Sequence, residues 1–375
     1  MEIVRVDSLQ TNRLRHVIIG AGAGIVASHI PALALPTVEL VAVSDVNITT
    51  GQQRADELRC AFYADYKQML AEMRPDVAVI VTPPFLHASM TIDCLQAGCH
   101  VLTEKPIAIQ VAEADQMIAT AQHYERLLGV ILQHRFRPEI IAAHQLIQNG
   151  MLGRIQRAEL TAVWTRPTSY YKMASWRATW AGEGGGVLTN QSSHNLDVLC
   201  HLLGTPARVY AWTRKLLHHI ETEDTAHAML EWSDGALGSL HISTAEFDDP
   251  ERLKIVGTRG YLEIIRGTLR AYALDEDISE YAVTATNPYA VPAGHPYPVT
   301  LAPGQGNHVA VYRNFHDAIL HGDVFNSDGV QGRMALELAN AIIYSNFNHC
   351  AVELPLDRQG YAALLQDLQQ HKQGM

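Results

Sequence analysis

A strand that runs into closely spaced glycines, then a helix, then a second strand ending on an acid, restricts this chain's fold more than any other feature. Residues 15–19 read as a short β-branched strand, followed by Gly20, Gly22 and Gly24. A helical run spans 25–35 and stops near Pro36, and a second strand spans 38–44 and closes on Asp45. This is the order of a mononucleotide-binding βαβ unit. Glycines there let the backbone approach a pyrophosphate, and the helix N-terminus offers unpaired N–H groups and a positive dipole end. Counted from Gly20, the third glycine position of the fingerprint falls on Ile25; counted from Gly22, it falls on Ala27. Gly20 directly follows the strand, so Gly20 and Gly22 are preferred, with Gly24 and Ile25 completing the turn. The alternative reading is a mere tight turn.

Asp45 sets the expected cofactor. A carboxylate at the end of the second strand hydrogen-bonds the adenosine ribose hydroxyls and repels a 2′-phosphate. Val46 and Asn47 offer no cation for that phosphate, and the nearest basic residue downstream is Arg54. NAD is therefore favoured over NADP. The competing reading makes Asp45 a helix cap or turn residue.

The alternation continues. Helices are predicted over 52–61, 66–73, 88–97 and 113–124, and strands over 76–81, 100–103 and 127–132. Repeated βα units give a doubly wound parallel sheet. Its carboxyl edge, where ligands bind, receives the loop from Thr82 and Pro83 to His87, then Glu104 and Lys105, then Gln133. Pro106 cannot continue a sheet ladder, so the strand before Lys105 ends there. The lysine, with a carboxylate beside it, is a candidate proton-transfer group; the bland reading is a loop lysine.

After about residue 150 the pattern changes to extended segments at 155–165, 208–217, 227–232, 236–243, 253–256 and 261–265. Turns at Ser233-Asp234-Gly235 and Thr258-Arg259-Gly260 join some of them as hairpins, which predicts a mainly antiparallel sheet. Helices follow over 309–320 and 333–346, with a last strand at 351–353, and 287–306 reads as a long loop or lid. The division expected is a nucleotide-binding unit over 1–133 and a substrate-binding α/β unit over 134–375, whose C-terminal helix is able to pack back on the first.

A second cluster lies at 176–197. Gly184, Gly185 and Gly186 permit a close approach. A helix begun by Asn190 puts Asn190 and His194 one turn apart on one face. The bland reading of His194 is a hydrogen-bonded histidine at a helix start. Tyr170, Tyr171, Trp176 and Arg177, just upstream, are candidates for a sugar-binding wall: aromatic faces pack on pyranose C–H groups, and arginine binds hydroxyls or anions.

Composition narrows the classes. The 375 residues suffice for two cores, and a net charge of −11 argues against nucleic acid or an anionic membrane as partner. No apolar run has the length of a membrane span. Residues 1–7 show no hydrophobic signal core, so a cytoplasmic location is expected. Five scattered cysteines fit reduced thiols, and 19 histidines include no zinc-like spacing, so no metal is expected.

With these motifs placed, the chain resembles the Gfo/Idh/MocA family, the group of glucose–fructose oxidoreductase and inositol dehydrogenase. The resemblance runs over nearly the whole chain and rests on the order of the motifs. It implies a Rossmann domain joined to an α/β domain with a large open sheet that commonly mediates oligomerisation, hence a homodimer or homotetramer. It implies a nicotinamide-dependent oxidoreductase acting on a ring alcohol of a sugar, sugar nucleotide or cyclitol. The family's motif lysine falls on Lys105 and its motif histidine on His194. An aspartate common in the inositol dehydrogenase branch is Asn190 here, which disfavours inositol without touching the reaction class. Lys105 and His194 are the catalytic candidates, and their ranking stays open. Other readings are a cyclitol dehydrogenase, a redox-assisted glycoside hydrolase that recycles NAD, and a non-catalytic sensor of NAD or sugar.

Overall fold

The computed structural model describes residues 13–370, position 248 apart. Residues 1–7, from which no export was expected, lie outside the described residues. The chain builds two sheets. The first contains β1 (Leu14–Ile19), β2 (Val38–Ser44), β3 (Ala61–Tyr63), β4 (Val77–Ile80), β5 (His100–Thr103) and β6 (Leu128–Val130), in the order β3-β2-β1-β4-β5-β6. All neighbours are parallel. Between the strands run α1 (Val26–Leu33), α2 (Ile48–Leu58), α3 (Tyr66–Met73), α4 (His87–Gln96) and α5 (Val111–His123). Every residue of β4 is buried, as a parallel strand covered on both faces requires. The order reverses between β1 and β4, which opens the crevice where ligands of such sheets bind.

After α6 (Pro138–Gln148) the chain enters the second sheet with β7 (Ile155–Val163). Three helices follow, α7 (Thr168–Tyr171), α8 (Trp180–Glu183) and α9 (Ser193–Leu203), then β8 (Arg208–Arg214), β9 (Thr225–Glu231), β10 (Leu237–Ser243), β11 (Arg252–Gly257), β12 (Gly260–Ile265) and β13 (Thr268–Leu274). The remainder is α10 (Ile278–Thr284), β14 (Gly294–Tyr297), α11 (His308–His321), α12 (Gly329–Asn348), β15 (Val352–Glu353) and α13 (Arg358–Gln370). The nine strands lie in the order β14-β13-β12-β11-β7-β10-β9-β8-β15. The sheet is antiparallel except between β7 and β10. β8 alternates exposed and buried residues, the signature of a sheet covered on one face. Buried residues of α9 and α12 share that covered side's core with Val209, Ala228 and Leu240. Trp212, Met229 and Leu237 are exposed, on β8, β9 and β10. The 287–306 stretch, read as loop, contributes the edge strand β14.

Three late segments return to the first unit: α11, α13, and α12, whose Leu336 shares a buried cluster with Leu128 and Val130. On α11, Val311, Tyr312 and Phe315 are fully buried in one cluster with Ile18, Val43 and Val79. On α13, Arg358 pairs with Asp115 of α5 at 2.9 Å. The α11 contact also contains a buried polar chain. His16 Nδ1 lies 2.7 Å from the Leu14 carbonyl, His16 Nε2 lies 3.0 Å from His316 Nε2, and His316 Nδ1 lies 2.7 Å from the Thr37 hydroxyl. Carbonyl oxygens only accept, so His16 donates from Nδ1 and receives at Nε2 the proton carried by His316 Nε2. A second proton on His16 sets two N–H groups against each other.

Burial accordingly lowers the pKa of His16 to about 4 and that of His316 to about 3. Both stay neutral in the fold while the unfolded chain takes up protons below about 6.5. Stability is therefore complete above that value and falls by ~1.4 kcal/mol per pH unit per histidine down to the folded values. Chemical denaturation between pH 7 and pH 5 should show the fall, and a His316→Asn variant should show a shallower one.

Candidate active site

One large cavity, of about 810 Å³, runs along the carboxyl edge of the first sheet and ends against the second unit. Gly20, Gly22, Gly24, Ile25, Asp45, Thr82, Pro83, His87, Glu104 and Lys105 line it from the first unit, and Trp176, Arg177, Glu183 and Asn190 from the second. Gln133, Tyr170, Tyr171 and His194 do not line it.

At the nucleotide end, Gly20 has φ +93°, and a Cβ there would lie 2.8 Å from Thr82 Cγ2, so the turn accepts only glycine without strain. Asp45 Oδ2 accepts the N–H of Gly22 at 2.7 Å, and Oδ1 accepts that of Asn47 at 2.8 Å. The acid thus braces the glycine turn and faces the cavity at once. The cap of α2 is Asn47, which accepts the Thr50 N–H at 3.1 Å. Arg54 is engaged, donating to the Ala21 carbonyl at 3.3 Å and to Glu57 at 2.7 Å. Thr82 Oγ1 is buried without a partner. A strand-end acid, a glycine turn at a helix N-terminus and an orphaned hydroxyl in one elongated cavity fit a dinucleotide.

His87 and Glu104 form part of the cavity floor. The two nitrogens of His87 each lie 2.8 Å from a carbonyl, of Pro106 and Thr82; burial favours the neutral imidazole, whose one N–H donates to one of the two. Glu104 Oε1 accepts from His29 at 3.0 Å and from His308 at 3.1 Å, and its Oε2 accepts the Lys105 N–H at 3.1 Å. Desolvation raises its pKa, but His29 and His308 outweigh that and hold the carboxyl well below the usual range. His29, Glu104 and His308 bring ligand-type atoms within 4.8 Å of one another, a grouping that no sequence spacing reveals, and hydrogen bonds account for it.

At the other end Lys105 Nζ donates to the Asn190 carbonyl at 3.0 Å. Desolvation lowers the lysine's pKa, and the Arg177 charge adds to the fall, against the opposing carboxylates of Glu104 and Glu183. His194 lies behind this pair. Its Nε2 is 3.2 Å from the Gln133 amide nitrogen, its ring stacks on His134 at 4.2 Å, and its Nδ1 is buried without a partner. Desolvation first, then the Lys105 charge, keeps His194 neutral. The imidazole therefore feels the charge of the amine, and the amine is the one on the cavity wall.

The 176–197 segment differs from expectation. The helix starts at Ser193, not by Asn190, so Asn190 and His194 do not share a helical face. The turn before it is captured instead by Glu223. Its Oε1 accepts the N–H of Gly186 at 2.8 Å and of Leu188 at 3.1 Å, and its main-chain oxygen accepts that of Val187 at 3.0 Å. A Cβ on Gly186 would lie 2.0 Å from that oxygen. Burial raises the Glu223 pKa to about 7.

Of the four residues expected to wall a sugar, Trp176 and Arg177 line the cavity and Tyr170 and Tyr171 do not. Arg177 lies over the rings of Tyr170 and Trp176, at 4.7 and 4.8 Å, and donates to the Tyr170 hydroxyl at 2.9 Å. Tyr171 turns away: it packs on His218 at 4.8 Å and bonds Thr244 at 2.7 Å. Glu183, which motif reasoning passed over, is 3% exposed and sits among Asn190, Arg177 and Lys105. Its only sequence signal is a lone acid before three glycines.

Comparison with known proteins agrees with this geometry. The family description "Oxidoreductase family, NAD-binding Rossmann fold" matches residues 14–132, and "GFO/IDH/MocA C-terminal domain" matches 140–263. The chain belongs to the Gfo/Idh/MocA family. The D-glucoside 3-dehydrogenase of Escherichia coli K12 is 30% identical over 232 residues, 60% of this chain and 64% of that protein. The match thus spans just under two thirds of that relative. Among solved structures, the WlbA dehydrogenase of Bordetella pertussis, in complex with NADH and UDP-GlcNAcA, is 29% identical with a TM-score of 0.79, covering 92% of this chain and all of that one. WlbA from Chromobacterium violaceum, with the same two ligands, is 26% identical with a TM-score of 0.80, covering 95% of this chain and all of that one. The Gfo/Idh/MocA architecture also accounts for the six parallel strands beside a nine-stranded mixed sheet. Among the described residues no helix is long and apolar enough to cross a membrane.

Proposed function

We propose that this Gfo/Idh/MocA chain is an NAD-dependent dehydrogenase or reductase acting on a secondary ring alcohol of a sugar, sugar derivative or sugar nucleotide. The observation that carries the reading is a single cavity with Asp45 and the glycine turn at one end and Lys105 at the other. Relatives that act on a glucoside or hold a sugar nucleotide support the substrate class. The nicotinamide, when bound, supplies the hydride acceptor or donor. Lys105 orients the substrate hydroxyl and exchanges its proton at Nζ, helped by a lowered pKa. His194 and Gln133 back the site, and Trp176, Arg177 and Asn190 form the wall for the ring. With the cofactor bound, alcohol oxidation would send hydride to the nicotinamide and the hydroxyl proton to Lys105 Nζ, giving a ketone.

The test is NAD reduction with a panel of glucosides, free sugars, acidic sugar nucleotides and inositols. Turnover of a sugar or sugar nucleotide with matching NADH formation is the expected result. Turnover of inositols alone shifts the assignment to a cyclitol, and glycosidic cleavage without net NADH shifts it to redox-assisted hydrolysis.

The same reading places the adenosine ribose on Asp45. The Asp45→Ala variant should lose NAD preference over NADP by about 10-fold or more, the equivalent of one or two charge-assisted hydrogen bonds. An unchanged ratio of kcat/KM for the two cofactors removes Asp45 from cofactor choice.

A further inference from the structure

We infer that Glu183 is a positioning residue that fixes the side-chain amide of Asn190, so that Asn190 offers its carbonyl oxygen, an acceptor, to a substrate hydroxyl beside Lys105. The role rests on the dehydrogenase reading above and adds to it the sense in which the hydroxyl is read.

Glu183 ends the one-turn helix α8 and reaches the cavity wall while almost wholly buried. Its Oε2 accepts the main-chain N–H of Ala178, and its Oε1 accepts from Asn190 Nδ2. The Arg177 guanidinium lies 4.0 Å away. An ionised carboxylate has no proton to give, so it admits only the NH₂ end of a neighbouring amide. That commits the donor end of Asn190 to Glu183 and leaves Oδ1 for the cavity. The main-chain oxygen of the same residue receives Lys105 Nζ at 3.0 Å, so amine and amide are held as one unit. A hydroxyl placed there gives its proton to one acceptor and lies within reach of the lysine.

The arrangement depends on the charge of Glu183. The groups facing it are Lys105 across the cavity, Arg177 on the preceding turn and Glu223 behind the glycines. Desolvation raises its pKa, with Arg177 and Lys105 opposing the rise. Once protonated, Glu183 is able to donate as well as accept, and the amide of Asn190 is free to turn. Acidification therefore weakens sugar binding before it touches NAD binding.

The test is a pair of variants assayed with NAD and the sugar that the wild type turns over. In Glu183→Gln the new amide must keep its oxygen on the Ala178 N–H, so its NH₂ meets Asn190. Asn190 then turns its oxygen inward and presents NH₂ to the sugar. KM for the sugar should rise roughly 10-fold or more, the cost of one mismatched hydrogen bond, with kcat less affected and the acid-side rise in KM gone. The double variant Glu183→Gln with Asn190→Asp restores an acceptor, because either oxygen of the new carboxylate can face the new amide while the other faces the cavity. It should recover most of the lost KM, which a role in folding alone would not produce. An unchanged KM in Glu183→Gln, or a double variant no better than the single one, overturns the role while the active wild type upholds the reaction. A wild type that turns over no sugar overturns both.

Discussion

Lys105→Ala is expected to lower kcat/KM for the sugar by roughly 10²- to 10⁴-fold, the contribution of a positioned proton-transfer group. The loss should fall mainly on kcat, because the cavity still offers the nucleotide its glycine turn and Asp45. Thermal stabilisation by NAD, which reports binding to the folded state alone, should persist in the variant. Lysine must shed its proton to act as a base, so wild-type kcat/KM for alcohol oxidation should climb with pH toward the lysine's lowered pKa. That limb should vanish in the variant. Arginine should not rescue it: its guanidinium keeps its proton throughout and is forked where the amine is a point. Turnover within about threefold of wild type, far short of the loss expected of a proton-transfer group, would transfer that role to His194.

The largest stability effect should come from a pair outside the cavity. Arg135, in the turn after β6, reaches Asp197 on α9 through Nε at 2.9 Å and through Nη2, with side chains 2% and 0% exposed. The same guanidinium donates to the Asn326 carbonyl at 3.0 Å and to Gln331. Asp197→Ala leaves that cation buried beside carbonyls that only partly compensate it. We expect a loss of about 3–5 kcal/mol in chemical denaturation. Replacing both partners with apolar residues of similar volume should cost less than the single change, because the stranded charge goes with its partner. A single variant within about 1 kcal/mol of wild type would contradict this account.

Five strands of the first sheet were legible because each is short, apolar and bounded by turn residues; β3 went unread because its three residues begin where a helix was expected to end. The helix at 66–73 and the strand at 100–103 occur where the sequence places them. The glycine turn and Asp45 were legible for the same reason: their signal is local. The helix α6 went unread although Pro138 stands at its first turn, a position proline favours. The parallel pairing of β7 with β10 escaped because the intervening hairpins suggest antiparallel order throughout.

Contacts made across long stretches of chain were the least readable. Glu223 determines the shape of the glycine segment from 37 positions downstream of Gly186, so a helix beginning at 190 looked natural without it. Glu183 carries no motif of its own, and its position beside Asn190 exists only after that turn is formed. Tyr170 and Tyr171, adjacent in sequence, part company because one caps Arg177 and the other packs on His218.

The return of α11 to the nucleotide-binding sheet bears on any attempt to transplant that half. A fragment cut after residue 133 would lose Val311, Tyr312 and Phe315, baring a greasy flank that holds Ile18, Val43 and Val79. It would also strand His29 and Glu104 without Tyr312 and His308. Chimeras that borrow this half should carry the 308–321 helix with it, or they will yield insoluble protein.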